Sequence, residues 1–539
     1  MAPSMDMDRI LSTMKKHGCA ATSIVLYEYP RWIEGHESDH GEFIRGLEVF
    51  RDTLTRLIMD GYMNDIRLVD ILSAAPNLTH LDLYPATNVY RVQKYSETRE
   101  IQEDETQLTE KPLKLIHLHL NSRLDWQTRI MPILRYCPNL LSLELSTCIE
   151  RINYDENDAN DFSLNYHAIG FTDAMKVCPR LDYLNCNLIG RIDGRSPYTK
   201  TISEMLSPTM TDIVEEINDD YDKVTTTTSN GLKTFLFHDD LADRASSIFD
   251  LLNKTNSTLT KITINQDLKV ASVRNVFSDW SFLNFIRLPN LETLKFVATR
   301  RTDMQILGNF LDHHASTLQV LFLELAYTRL SEKMINAIGR MTKLRRLHAV
   351  ARNITDMDGN ILLPAITDNT ARSSLASVLG NRHQALQEIR LSDMHVTNND
   401  LEYNLGNLPA LEKLSLNANK TPFLLDESAL IRFVRRMSDH NRGSASFKHL
   451  KLSNVDNISD SVLAALCDEL SSSLKSLELC SCKSVTDAGL QSFVNGIGDQ
   501  FEYILLTGPC HGITKEGISQ ARQKIGHHKI LTGYSLLFL

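Results

Sequence analysis

The sequence predicts an α/β solenoid, with short parallel strands stacked into a sheet on a concave face and helices on a convex face. Three observations point there. The pattern Leu-x-x-Leu-x-Leu, with Ile, Phe and other substitutes allowed, starts fifteen times: at Leu54, Leu78, Leu115, Leu140, Leu181, Leu232, Leu259, Leu291, Leu318, Leu344, Leu386, Leu411, Phe447, Leu474 and Phe501. Of the fourteen gaps between starts, eight fall between 24 and 27 residues, inside the range of about 20–29 residues for a short strand-plus-helix repeat. The chain has 539 residues, 42% of them apolar and 23% charged. A single core stops growing near about 250–300 residues, so the choice lies between several globular domains and one array, and the periodicity decides for the array.

Residues 1–53 read as a capping region, with a helix over 10–18 and a strand over Ile24-Val25-Leu26. The array then runs over 54–530. The last four residues of each start alternate apolar and polar, the signature of a short half-buried strand. Leu140-Leu141-Ser142-Leu143-Glu144-Leu145 and Leu474-Lys475-Ser476-Leu477-Glu478-Leu479 are clean instances. Leu54, Leu181 and Leu344 are weak, with Met59, Cys186 and Ala349 as third anchors. A loop follows each strand, then a helix. In Val485-Thr486-Asp487-Ala488-Gly489-Leu490, Thr486 or Asp487 suits an N-cap, and Leu490, Phe493 and Val494 share one helical face. The segments beginning at Ile458 and Ile513 repeat this design, and those at Leu330 and Val396 echo it. Pro76, Pro138, Pro179, Pro289 and Pro409 each lie two residues before the next start. Proline cannot continue a helix and pushes its predecessor toward extended geometry. One repeat cannot bury its own apolar face; stacked neighbours can.

Inserts near 86–112, 150–165 and 195–230 are acidic, and a fourth long gap, from Leu344 to Leu386, is polar and less charged. Such tracts cannot bury a core and read as solvated loops. Residues 531–539 are left as a tail.

The formal net charge is −10 and the pI is about 6.0, which argues against a nucleic-acid binder driven by counterion release. No apolar run approaches the roughly 18 residues of a membrane-spanning helix. Neither nucleic acid nor a membrane is therefore an expected partner. The N-terminus carries acids and no apolar signal region, and the nine cysteines show no disulfide framework. A cytoplasmic or nuclear location is the expectation.

No residue pattern argues for an enzyme. His36-Glu37-Ser38-Asp39-His40 matches the H-E-x-x-H zinc motif, but the chemistry needs both histidines on one helical face. Gly35 and Gly41 flank it and no apolar helical period runs through it, so it reads as an exposed polar loop. His117 and His119 alternate in a strand and should share the concave face, too few ligands for a metal site on their own. Cys480 and Cys482 fit a strand end and a turn better than a redox or zinc pair, and His313-His314 and His527-His528 read as solvated helix ends. There is no phosphate-binding glycine loop and no nucleophile elbow, so no catalytic residue, cofactor or metal is expected.

Alternation also names the surface a partner would use. Counting each start as zero, residues at +2, +4 and +6 point away from the core. From the seventh repeat to the thirteenth these include Lys261, Lys295, Arg346, His348, Arg390, Lys413, His449 and Lys451, opposed by Glu324 and Glu388. Val320 and Phe322 lie at the same outward positions. This basic strip, with an exposed Phe as anchor, is the expected site for a protein partner.

The repeats resemble the cysteine-containing class of leucine-rich repeats. Leu477-Glu478-Leu479-Cys480-Ser481-Cys482 followed by Val485-Thr486-Asp487-Ala488-Gly489-Leu490 carries one half of that pattern. Cys137-Pro138-Asn139-Leu140 and Cys178-Pro179-Arg180-Leu181 carry the other half. The resemblance implies a ribonuclease-inhibitor-like horseshoe. It further implies an F-box/leucine-rich-repeat protein of fungal type, the substrate receptor of an SCF-type ubiquitin ligase, which binds a Skp-type adaptor through an F-box. No F-box opening with Leu-Pro is read in residues 1–53, so the adaptor is an expected partner only if an F-box precedes the chain. The alternative is a GTPase-activating or other regulatory leucine-rich-repeat protein, whose turns would carry Asn where this chain varies among Cys148, Cys482 and Asn419.

Overall fold

The computed structural model describes residues 13, 16–17, 20–26, 38–62, 67–85, 112–120, 130–149, 171–190, 231–239, 245–266, 281–298, 304–326, 330–352, 375–380, 382–418, 425–441, 447–455, 457–508 and 510–532. The chain divides into two compact units, Met1–Asp279 and Trp280–Leu539. In the first, strands β1 (Ser23–Leu26), β2 (Arg56–Tyr62), β3 (His80–Pro85), β4 (His117–Leu120), β5 (Ser142–Ile149), β6 (Tyr183–Gly190), β7 (Thr234–Asp239) and β8 (Lys261–Gln266) pair in parallel, in chain order. In the second, β9 (Thr293–Ala298), β10 (Val320–Ala326), β11 (Arg346–Arg352), β12 (Glu388–Ser392), β13 (Lys413–Asn417), β14 (His449–Ser453), β15 (Ser476–Cys480), β16 (Tyr503–Thr507) and β17 (Ile530–Thr532) do the same. A parallel neighbour must be reached by a crossover. The crossovers carry short helices: α1 (Ser38–Glu48), α2 (Leu68–Ala74), α3 (Met131–Leu134), α4 (Phe171–Val177) and α5 (Ala245–Lys254) in the first unit. In the second they are α6 (Met304–His313), α7 (Glu332–Gly339), α8 (Glu427–Asn441), α9 (Asp460–Leu470), α10 (Asp487–Gly496) and α11 (Lys515–Ile525). Each unit is an α/β solenoid.

All fifteen starts become strands β2 to β16, each beginning two residues after its start. The start residues themselves are buried, including the weak ones at Leu54, Leu181 and Leu344. Their substitute third anchors, Met59, Cys186 and Ala349, are fully buried too. What the layer requires is an apolar group at that height, not leucine. β1 is the strand expected over Ile24-Val25-Leu26. Of the helix expected over 10–18, the described residues show one turn, His17 N–H donating to the Thr13 carbonyl at 3.0 Å. β17 carries the sheet past the expected end of the array, through Leu531 and Thr532. The acidic inserts, apart from Pro112, and residues 533–539 lie outside the described residues.

The prolines have a second role. Leu78, Leu140, Leu181, Leu291 and Leu411 donate their N–H to carbonyls three residues earlier, on Ala75, Cys137, Cys178, Leu288 and Leu408. Each proline thus holds the second position of a β-turn, where its fixed φ is already correct. The preceding cysteines are hydrogen-bonded core groups. Cys137 Sγ donates to Ile133 O at 3.3 Å and Cys178 Sγ to Leu134 O at 3.4 Å. Burial pushes both thiols up, that of Cys178 to about 12, so neither is a nucleophile in the folded chain.

The segments beginning at Ile458, Val485 and Ile513 build a ladder between repeats. Thr486 and Thr514 are N-caps, accepting from Gly489 N–H and Gly517 N–H. Each threonine is in turn held by the aspartate of the previous helix. Asp460 accepts from Thr486 N–H at 2.8 Å and its hydroxyl at 2.6 Å, and Asp487 does the same for Thr514. The glycine exists for this contact: a Cβ on Gly489 or Gly517 would stand 1.9 Å from the carboxylate of Asp460 or Asp487. Capping therefore joins one helix to the next as well as satisfying its free N–H groups.

Two expectations fail. His314 is not a solvated helix end. It is 2% exposed, its Nε2 accepts Leu288 N–H at 2.9 Å and its Nδ1 donates to Phe310 O at 2.7 Å. It ties α6 to the turn before β9, and burial pulls its pKa down to about 4. Ser38, Asp39 and His40 are not loop residues but the first turn of α1. Helix α1 continues into Phe43 and Leu47, both buried, and that apolar pair begins beyond the motif. His36 and Glu37 lie outside the described residues.

Candidate protein-binding faces

On β9 to β14 the outward residues stand in two rows set by strand register. One row runs Val320, Arg346, Glu388, Lys413 and His449; the other runs Lys295, Phe322, His348, Arg390, Ser415 and Lys451. Glu388 is the centre. It is 8% exposed, accepts a hydrogen bond from Arg390 at 2.7 Å, and has His348 Nε2 at 3.2 Å and Arg346 Nε at 3.9 Å. Burial pushes its carboxyl up, but the hydrogen bond and charge of Arg390, with His348, outweigh that and hold it below the usual carboxylate range. His348 is held below its ordinary value by burial and then by Arg390, against the opposing pull of Glu388.

Phe322 is half-buried rather than fully exposed. The His348 ring meets it edge-on at 5.6 Å and the Lys295 ammonium sits 4.8 Å from its centroid. The basic strip is thus partly neutralised from within. Arg390 and Arg346 share Glu388, and Lys451 pairs with Glu478 at 2.7 Å. Alternation alone makes Glu388 an opposing charge two residues from Arg390; register adds Arg346 on β11 and Lys413 on β13 as its cross-strand neighbours. His449 faces Ser476 Oγ at 2.8 Å. Lys261 begins β8 and belongs to the first unit.

The first unit carries a different face. On β3 and β4, His80 stands beside His117 and Asp82 beside His119, with Glu144 and Asn185 continuing the second row on β5 and β6. His117 Nε2 lies 3.0 Å from Asp82 Oδ1, and His119 Nδ1 lies 4.0 Å from it. Burial holds His80 and His119 below the ordinary imidazole value. Tyr84 meets His119 edge-on at 4.8 Å. His117 and His119 do face outward together, and Asp82 is a partner that sequence reading missed. Among the described residues no group of three or more His, Cys, Asp or Glu is arranged to hold a metal ion.

Cys480 ends β15, half-buried, and Cys482 fills the following turn, fully buried. Burial pushes the Cys480 thiol up, but hydrogen bonds with Thr507, Ser453 and Ser481 and the Lys451 charge bring it below the ordinary thiol value. The turn residue between them, Ser481, has φ 58°, as Asp393 and Asn454 have 54° and 53° after β12 and β14.

No family model matches the sequence, and no curated protein matches it significantly. Among solved structures, a crystal structure of a Rad7 and Elc1 complex in yeast is similar over 97% of this chain and 86% of that one, at 14% identity and a TM-score of 0.39. At that distance the likeness speaks neither for partner nor for function.

Proposed function

We propose that the chain is a non-catalytic protein-recognition scaffold whose partner docks on the outward sheet face of the second unit. The observation that carries this reading is the side-chain lattice around Glu388. Arg346 and Arg390 stand 60% and 58% exposed on a buried carboxylate, beside Phe322 and Val320. Groups already held in place lose little freedom on binding. Arg and aromatic side chains are those that dominate interface energetics. Lys295, Val320, Phe322, Arg346, His348, Arg390, Lys413, His449 and Lys451 are the contact residues of this reading.

The finer role, substrate receptor of an SCF-type ubiquitin ligase, is supported by the Cys-Pro-x-Leu and Val-Thr-Asp-x-Gly-Leu motifs alone, and a cytoplasmic or nuclear location by nine cysteines without a disulfide framework. A Skp-type adaptor binding to the full natural protein is its test. A photo-crosslinking residue placed at Phe322 or at Ser415 tests the scaffold reading. Both should capture the same partner, while the same residue at Arg435 on α8 captures none. Capture from Arg435 alone would place the interface on the helices and defeat the proposal.

A further inference from the structure

We infer that the outward face of the second unit receives an acidic protein segment in an extended, polyproline-II-like form, with carboxylates three residues apart. This rests on the sheet-face reading and names the chemistry of the partner.

Three cationic groups on this face have no carboxylate held against their charged ends among the described residues. They are the Lys295 ammonium, which lies over Phe322, the terminal nitrogens of Arg346, whose Nε alone faces Glu388, and the Lys413 ammonium. They occupy β9, β11 and β13, every second strand. Adjacent strands lie about 4.8 Å apart, so the strand positions that carry the three cations recur about every 10 Å across the sheet. A polyproline-II chain rises about 3.1 Å per residue with three residues per turn, so residues i and i+3 point the same way about 9.3 Å apart. A β-conformation would turn alternate acids away.

Lys295 lies one row from Arg346 and Lys413 in the register, an offset its long side chain can take up. Phe322 and Val320 stand on β10, between the first and second cations, so an apolar residue between the first two acids meets them. Acidic segments of low hydrophobicity are unfolded before binding, and polyproline II is a major conformer of unfolded chains, so this geometry asks for the least rearrangement. The buried Glu388 holds Arg346 and Arg390 upright and repels an acid that approaches off register.

The test uses the full chain and labelled ten-residue peptides read by fluorescence anisotropy at low salt. One has Asp at positions 2, 5 and 8 with Leu at 3; an isomer of the same composition has the three Asp contiguous. A fifteen-residue pair carries two Asp three apart or seven apart, the latter matching a helix. The three-apart peptides should bind, with the contiguous isomer about tenfold weaker. The triple reversal Lys295→Glu, Arg346→Glu, Lys413→Glu should remove binding, and Lys413→Glu alone should weaken it about threefold, each loss reproduced by raising salt. Circular dichroism checks that the variants stay folded. Equal binding of the isomers, tighter binding of the seven-apart peptide, unchanged affinity of the reversed protein, or no binding of any peptide overturns the inference. If the natural partner still crosslinks at Phe322 in that case, the sheet-face reading stands; if that crosslink fails too, both fall.

Discussion

The two units lay the same lattice of strands and write opposite chemistry on it. On β3 to β5 two acids sit among imidazoles: Asp82 lies 3.0 Å from His117, and Glu144 stands across from His119. On β11 to β13 one acid sits among two arginines and a histidine, with Arg390 2.7 Å and His348 3.2 Å from Glu388. On the first face burial holds His80 and His119 below the ordinary imidazole value, whereas the arginines of the second keep their charge over the whole physiological range. A backbone position alone therefore does not say what a repeat surface does. The cross-strand neighbour decides.

The contrast can be broken first at the glycines. Gly489→Ala in the second unit drives a methyl group into Asp460 and should cost about 2–4 kcal/mol, read as a drop in the urea midpoint. Gly41→Ala in α1 of the first unit meets nothing within 4 Å and should stabilise by about 0.5–1 kcal/mol, the ordinary helix preference. Equal effects would mean that the cap ladder does not join the last repeats.

Acid is the next lever. His314 is neutral in the fold, with its pKa lowered from 6.5 to about 4. Between those values the unfolded chain binds the extra proton. Its contribution is therefore complete above about pH 6.5 and lost as pH falls toward 4, on the order of 3 kcal/mol in all. His314→Gln should be less stable at pH 7.5 and should flatten the urea midpoint against pH through that window.

Smaller effects separate the two faces directly. Glu388→Gln leaves Arg346 and Arg390 without their shared carboxylate and should cost about 1–2 kcal/mol. Asp82→Asn, with one close partner, should cost about 1 kcal/mol or less. Thiol labelling followed by peptide mapping gives the last comparison. Cys480 should react well ahead of Cys137 and Cys178, whose buried thiols resist ionisation.

Much of this was legible in the sequence. The starts located strands β2 to β16 because one apolar side chain per turn of the solenoid must fill the same layer. Thr486 and Thr514 were readable as caps for the same local reason. The meaning of Gly489 was not, since it depends on Asp460, one repeat earlier. His314 looked solvated because its partners, Leu288 N–H and Phe310 O, are backbone groups that leave no trace in residue type. On the strip the opposition of Glu388 to Arg390 was legible, two residues apart on one strand, whereas the pairing of Lys451 with Glu478 was not, because it depends on register between neighbouring repeats.

The central claim is that the second unit's sheet face, not its helices, holds the partner. The direct measurement is the Kd of the crosslinked partner, purified, for three variants of the full chain. Phe322→Ala and Arg346→Glu should each weaken binding by about tenfold or more, while Arg435→Glu on α8 should stay within about twofold of the unaltered chain. Unchanged affinity for the two face variants, with a loss at Arg435, would contradict the account.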